Sequence, residues 1–262
     1  MSNYFPQILV LDFDGVICDG LMEYFQTTQK TYQSIWKDAF SLEELAPRFY
    51  QLRPVIETGW EMPILLRALV NGISDEEILH DWSTIAQEIV QSENLNPQEV
   101  ANGLDSIRDR WIASDLEGWL KLHRFYPGVI EKLAQLLSSS TQTYIVTTKE
   151  GRFVRQLLEQ QGIEFPDRCV IGKEIKQPKY KTLQQLIATH ATEPAKVWFV
   201  EDRLDALVLV QQQPDLQGVG LYLAAWGYNT QEMRDSILDN PTIHLLSLEQ
   251  FNQDFRVWGV RC

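Results

Sequence analysis

Two carboxylates separated by a single residue, Asp12 and Asp14, close the apolar run Ile8-Leu-Val-Leu11 and lead directly into Gly15. Apolar residues ahead of a glycine read as a buried strand ending in a turn. The carboxyl edge of such a strand is where an open α/β sheet binds its ligands. Two acids held this close repel each other unless a cation or a shared proton lies between them. The chemistry this allows is a Mg2+-dependent site with a carboxylate nucleophile. The same residues also suit a plain turn, where Asp and Gly are common, or the D-x-D metal clamp of sugar-nucleotide enzymes. The choice depends on what later segments supply.

Three segments bear on it. In Tyr144-Ile-Val-Thr147-Thr148-Lys149 a strand ends in two hydroxyl residues ahead of a helix. Thr147 or Thr148 there is suited either to hold phosphate beside free backbone N–H groups or to cap the helix. In Lys176-Gln-Pro-Lys179-Tyr-Lys181 three lysines cluster before a helix of an otherwise acidic chain. One of them could neutralise phosphate charge, and the alternative is a solvated basic patch. In Val197-Trp-Phe-Val200-Glu201-Asp202-Arg-Leu-Asp205 a buried strand again ends in acids. Asp202 is placed to ligate a metal, Glu201 or Asp205 to hold that ion through water, and Asp205 equally to cap the next helix.

The elements that must position these groups are legible from residue 126 onward. Short apolar strands are expected at 143–147, 168–171, 196–200, 219–223 and 243–246, with helices at 129–137, 152–161, 180–190 and 206–212. Such alternation signals a parallel sheet with helices on both faces, and the strand at Ile8 joins it by character. Residues 19–125 read as helix nearly throughout, with Tyr24, Tyr32, Trp36, Phe40, Leu65, Leu66, Leu69, Leu79, Trp82, Ile85 and Ile89 at helical spacing. Breaks fall at Pro47, Pro54, Gly59, Gly72 with Ser74 as a cap, and Pro97. The expected architecture is α/β: a Rossmann-like core of residues 1–18 and 126–262, with an all-helical cap of residues 19–125 inserted after the first strand. An insert rooted there could act as a lid.

Bulk properties narrow the partners. With 23 basic and 36 acidic residues the net charge is −13, which argues against nucleic acid or an anionic membrane as partner. It leaves an anionic substrate open, because a local field can oppose the global sign. No apolar run is long enough to span a membrane, and no signal peptide is expected. Cys18, Cys169 and Cys262 are odd in number and far apart, which fits unpaired thiols in a reducing cytoplasm and no zinc site. Cys18, although near the acids, is expected only to pack.

Taken in order, D-x-D-G, then a Thr, then a Lys, then an acidic pair, the four segments resemble the haloacid dehalogenase-like hydrolase superfamily. The resemblance covers residues 5–18 and 126–235. The insert position and the return at Tyr126-Pro127-Gly128 are similar to its helical-cap group, which includes phosphoglycolate phosphatase and β-phosphoglucomutase. The chain departs from the usual pattern twice. Gln177 stands where the family has lysine before proline, so Lys176 or Lys179 must serve, with Lys179 favoured as nearer the helix. The fourth motif is Glu201-Asp202 with Asp205 three positions on, in place of Gly-Asp with a second Asp four on.

The resemblance implies a small phosphorylated metabolite as substrate and Mg2+ as cofactor. It makes Asp12 the nucleophile and Asp14 the acid and base. Asp12, the Asp14 carbonyl and Asp202 would ligate the metal, and Thr147, Thr148, Gly15 and Lys179 would hold phosphate. Asp14 favours phosphate esters, since the dehalogenase branch, whose halide leaves without a proton, usually lacks it. In the insert, Arg53 and Trp60, beside the Pro54 and Gly59 breaks, are the residues expected to meet a ligand. A phosphosugar mutase, or a catalytically silent binding or regulatory homologue, are the alternatives; oligomeric state is left open.

Overall fold

A computed structural model describes residues 5–37 and 41–258; Phe40 and Cys262 lie outside these. The chain divides into two compact units, one of Met1–Asp19 with Arg124–Cys262 and one of Gly20–His123.

The first unit is built on a parallel sheet. Its strands are β1 (Ile8–Leu11), β4 (Gln142–Val146), β5 (Val170–Ile171), β6 (Val197–Glu201), β7 (Gly220–Ala224) and β8 (Ile243–Leu246). They lie in the order β5-β4-β1-β6-β7-β8, every neighbouring pair parallel. Between β1 and β4 the short strands β2 (Cys18–Asp19) and β3 (Arg124–Phe125) pair antiparallel. The central strand β1 is buried at all four positions, as its unbroken apolar sequence requires of a strand covered on both faces. Chain order runs outward from β1 through β4 to β5, then reverses to the other side of β1 at β6. The reversal between β1 and β6 is the topological switch point of this sheet type.

The expected strands of the sheet appear within a residue of their places, with one larger difference, and the short β2 and β3 are additional. Residues Asp167–Cys169 form a 3-10 turn, opened by Pro166 and closed by a 2.8 Å bond from Cys169 N–H to the Pro166 carbonyl. Proline fixes φ at a turn-compatible value, so only Val170–Ile171 remain as strand.

The second unit is helical: α1 (Leu21–Trp36), α2 (Ala46–Leu52), α3 (Glu61–Val70), α4 (Asp75–Ser92), α5 (Pro97–Ser114) and α6 (Leu116–Leu120). Ser74 caps α4 reciprocally with Glu77, and Asn96 caps α5, whose first residue is Pro97; both are strong starts. Pro47 and Pro54 begin helical turns, where their missing N–H costs no helix bond. Fully buried Glu23 on α1 accepts from Thr27, Arg108 and Trp119, tying α1 to α5 and α6. Among the described residues no helix is long and apolar enough to cross a membrane.

Around the sheet lie α7 (Val129–Leu137), α8 (Gly151–Gln160), α9 (Lys179–Thr189), α10 (Leu204–Gln211), α11 (Gln231–Ser236) and α12 (Leu248–Asn252). The loops that matter for chemistry follow β1, β4, β5, β6 and β7.

Candidate active site

Sheet register sets the first contact. Leu11 pairs with Val200, so Asp12 and Glu201, each one residue further on, emerge side by side at the switch point. Asp12 N–H donates to the Val200 carbonyl at 3.0 Å, which fixes the strand end. The carboxylates of Asp12, Glu201 and Asp202 are all buried and bring ligand atoms within 4.8 Å of one another.

Lys179, the first residue of α9, reaches this cluster. Its ammonium lies 2.7 Å from Asp12 Oδ2 and 2.6 Å from Glu201 Oε2. The other Asp12 oxygen accepts from Phe13 N–H at 2.7 Å. Burial, and then the neighbouring Glu201 charge, push the Asp12 carboxyl up to about 7 against the pull of Lys179. Burial also raises Glu201, with Lys179 opposing and Asp202 adding to the rise. Burial works against a charged Lys179, but Asp12 and Glu201 outweigh it and hold the ammonium above its usual range.

Asp202 is held by the loop after β7. Its Oδ2 accepts from Tyr228 N–H at 2.8 Å, and Asn229 Nδ2 bonds its backbone carbonyl at 3.0 Å. Two glycines make room for it. A Cβ on Gly15 would crowd all three atoms of the Asp202 carboxylate, the farthest, Oδ1, at 3.0 Å, and Gly15 has φ +83°. A Cβ on Gly227 would lie 2.5 Å from the Gly15 carbonyl and 3.1 Å from Asp202 Cγ.

Asp14 is separate from the cluster. Its carboxylate faces Lys149, whose Nζ lies 3.1 Å from Oδ1 and 3.2 Å from Oδ2. The Phe13 carbonyl accepts from Val16, Ile17 and Cys18 in a tight turn, so two acids only two residues apart face different lysines. Beside Lys179 a cavity of about 260 Å³ is lined by Thr147, Thr148, Ile171, Lys173 and Lys176, among others.

The family model described as haloacid dehalogenase-like hydrolase matches residues 64–207, more than half of the chain. The chain belongs to the haloacid dehalogenase-like hydrolases. It is 26% identical over 262 residues to a phosphoglycolate phosphatase of Photobacterium profundum, covering 98% of this chain and 97% of that one. It is 27% identical over 179 residues to the phosphoglycolate phosphatase of Synechococcus elongatus, covering 66% and 78%. In fold it resembles the crystal structure of a putative phosphoglycolate phosphatase from Lactobacillus delbrueckii subsp. bulgaricus. The TM-score is 0.64 at 12% identity, covering 98% of this chain and 100% of that one.

In this haloacid dehalogenase-like chain, Asp12, Asp202, Glu201 and Lys179 come together. Thr147 is buried at the end of β4, where its Oγ1 accepts from Lys149 N–H at 3.2 Å, and Thr148 is exposed on the cavity wall. Gln177, in the family's lysine position, bonds Thr182 and Gln185 along α9, and Lys179 two residues later makes the ion pair. Lys176 is exposed on the cavity wall, with φ 52°.

Several expectations are corrected. Gly15 N–H donates to the Cys18 carbonyl at 2.8 Å, so it is used within the turn and not offered to phosphate; what Gly15 supplies is space for Asp202. Asp205 stands outside the group of buried carboxylates and is not the cap residue. Its side chain is 71% exposed and pairs loosely with Arg203 at 3.8 Å, and Arg203, the cap residue of α10, makes no side-chain capping bond. Glu201, one of the two acids expected to hold the ion through water, has its carboxylate within the cluster because strand register delivers it beside Asp12. In the insert, Arg53 Nη1 donates to the Ile56 carbonyl at 3.0 Å and its guanidinium lies 5.0 Å over Tyr24. Trp60 stands at the cap position of α3.

Lys149, Gly227, Tyr228 and Asn229 were not anticipated. A lysine two residues after the strand-end Thr147 was the available signal for the first. Nothing local marks the other three, which act on Asp202 from 25 to 27 positions away.

Proposed function

We propose that the protein is a Mg2+-dependent phosphomonoesterase working through an aspartyl-phosphate on Asp12, with phosphoglycolate as first candidate substrate. The observation that carries this reading is the convergence of the Asp12, Glu201 and Asp202 carboxylates with the Lys179 ammonium at the switch point. The family's hydrolase description and the names of the two curated relatives support the reaction class and the candidate substrate.

The residues fit a hard divalent cation. The donors are carboxylate oxygens, the set Mg2+ prefers, and three buried carboxylates gather there beside a single paired ammonium, that of Lys179. Asp12, Asp202 and the Asp14 backbone carbonyl would hold the ion, with Glu201 beside them. When bound, Mg2+ supplies charge neutralisation that lets an anionic nucleophile meet an anionic phosphate.

The chain's own groups do the rest. An Asp12 carboxylate oxygen bonds to phosphorus as the ester P–O bond breaks, and Asp14 gives its proton to the departing alkoxide. Water then attacks the phosphoryl group and loses a proton to Asp14. The P–O bond to Asp12 breaks, and inorganic phosphate leaves. Thr147 and the Thr148 amide orient phosphate oxygens, and Lys179 offsets their charge. The free thiols of Cys18 and Cys169 fit a reducing compartment such as the cytoplasm.

Release of inorganic phosphate from phosphoglycolate and a panel of phosphorylated metabolites, with Mg2+ and without an acceptor sugar, is the test. Asp12→Asn should abolish release. Full activity in that variant refutes the reading, and turnover only with an acceptor points to a mutase.

A further inference from the structure

Lys149 has no role in the reaction just described, yet its side chain is only 8% exposed and its ammonium is nearly equidistant from the two Asp14 oxygens. Resting on the phosphomonoesterase reading, we propose that Lys149 is a positioning residue, holding the Asp14 carboxylate in the orientation from which a proton passes to and from the reacting oxygen.

The Asp14 backbone is fixed on both sides: Asp12 N–H is bonded to β6, and the Phe13 carbonyl and Gly15 N–H close the turn onto Cys18. What stays free is the side chain, whose terminal torsion has a broad, soft profile. An ammonium facing both oxygens removes that freedom. An exposed ion pair would be too weakly held to do this, but here both partners are largely buried, at 8% and 14% side-chain exposure.

Lys149 is itself anchored. Its N–H donates to Thr147 Oγ1 at 3.2 Å, and its carbonyl accepts from Lys173 N–H at 2.9 Å. The next turn is pinned by Gly151 N–H donating to Glu174 Oε2 at 3.1 Å. Gly172 lets the two loops interlock, since a Cβ there would lie 2.7 Å from the Lys149 carbonyl. The loops after β4 and β5 thus form one brace that presents a cation to Asp14. These bonds run to Thr147, Lys173 and Glu174, so the brace should govern proton transfer more than metal affinity.

The test compares wild type, Lys149→Met and Lys149→Arg on phosphoglycolate and on p-nitrophenyl phosphate, whose leaving group departs without a proton. A misplaced acid–base group costs on the order of tenfold to hundredfold, so Lys149→Met should lose roughly that factor in kcat on phosphoglycolate, with KM and Mg2+ affinity little changed. With p-nitrophenyl phosphate its first turnover should keep the wild-type rate while the steady state falls, giving a burst of nitrophenol. Lys149→Arg, which retains a cation, should recover much of the loss. Unchanged kcat in Lys149→Met overturns the inference. So does a loss that appears equally in the first turnover, or one that follows Mg2+ affinity or melting temperature in both variants. Wild-type hydrolysis abolished by Asp12→Asn establishes the parent reading separately, so an unchanged Lys149→Met beside it removes only the inference.

Discussion

Gly15→Ala tests the geometry of the site most directly. Gly15 itself has φ +83°, and the added methyl meets the carboxylate of buried Asp202, whose farthest atom would stand 3.0 Å away. A left-handed backbone costs a non-glycine residue about 1–2 kcal/mol. Asp202 cannot retreat freely, because Gly227 also packs against it and Tyr228 N–H holds Oδ2 at 2.8 Å. Losing a hydrogen bond to a charged group costs about 1.5–3 kcal/mol, which brings the sum to about 3–5 kcal/mol. At roughly 2–4 °C per kcal/mol for a chain of this size, melting should fall by about 6–20 °C without metal. Bound Mg2+ at a hundred times its dissociation constant should stabilise wild type by about 2.7 kcal/mol, whereas the variant, with Asp202 displaced, should gain far less. Differential scanning fluorimetry with and without Mg2+ reads both quantities. A variant that melts within a degree or so of wild type and shows the same Mg2+ shift would refute the reasoning.

Other consequences are quicker to state. The metal-free Asp12 carboxyl, raised from its ordinary 3.8 to about 7, binds a proton in the folded state that the unfolded chain has released. Its contribution to stability is therefore full below about pH 3.8 and is lost as pH rises through about 7. Because Mg2+ must displace that proton, its affinity should improve roughly tenfold per pH unit below neutrality and then level off; titration calorimetry showing a flat profile from acid to neutral pH would contradict this. Lys179→Met leaves Asp12 and Glu201 buried without their cation and should destabilise the fold by about 3–5 kcal/mol, with activity lost; chemical denaturation checks the first and phosphate release the second. Asp205→Asn should leave kcat, Mg2+ affinity and melting within error of wild type, since its carboxylate is 71% exposed; a large loss in any of them would return Asp205 to the site.

The sequence made the main chain of the site legible because each piece is local. Apolar runs ending in acids or hydroxyls mark strand ends, and the parallel sheet lines those ends up, so Asp12, Thr147 and Asp202 needed no long-range knowledge. Lys179 over Lys176 followed from being nearer the helix start. What stayed hidden depends on register or distant contact. Glu201 looked peripheral because its neighbour Asp202 fits the familiar position; only the pairing of Leu11 with Val200 shows that Glu201 emerges beside Asp12. Asp205 offers a carboxylate near Asp202 in the chain, though not at the family's spacing, and the first turn of α10 carries it into solvent. Lys149 meets Asp14 across 135 residues, and the Gly227–Asn229 segment reaches Asp202 with no pattern of its own.

The site also shows how an acidic protein can handle an anion. Global charge of −13 should repel a phosphate ester at long range, but exposed charges are screened beyond about 8–10 Å in ordinary salt, so the groups at the sheet edge decide. There Lys179 lies between two buried carboxylates and Lys149 faces a third, while Lys173 and Lys176 line the adjoining cavity with Thr147 and Thr148. The two ammonium groups do different work because their anchors differ. Lys179 comes from a helix start and is drawn into the acid cluster, where it opposes the rise that burial imposes on the Asp12 carboxyl. Lys149 comes from a braced loop and faces the acid that stands apart. Asp12 and Asp14 share a strand end and a residue type, and what separates their roles is which lysine each one meets.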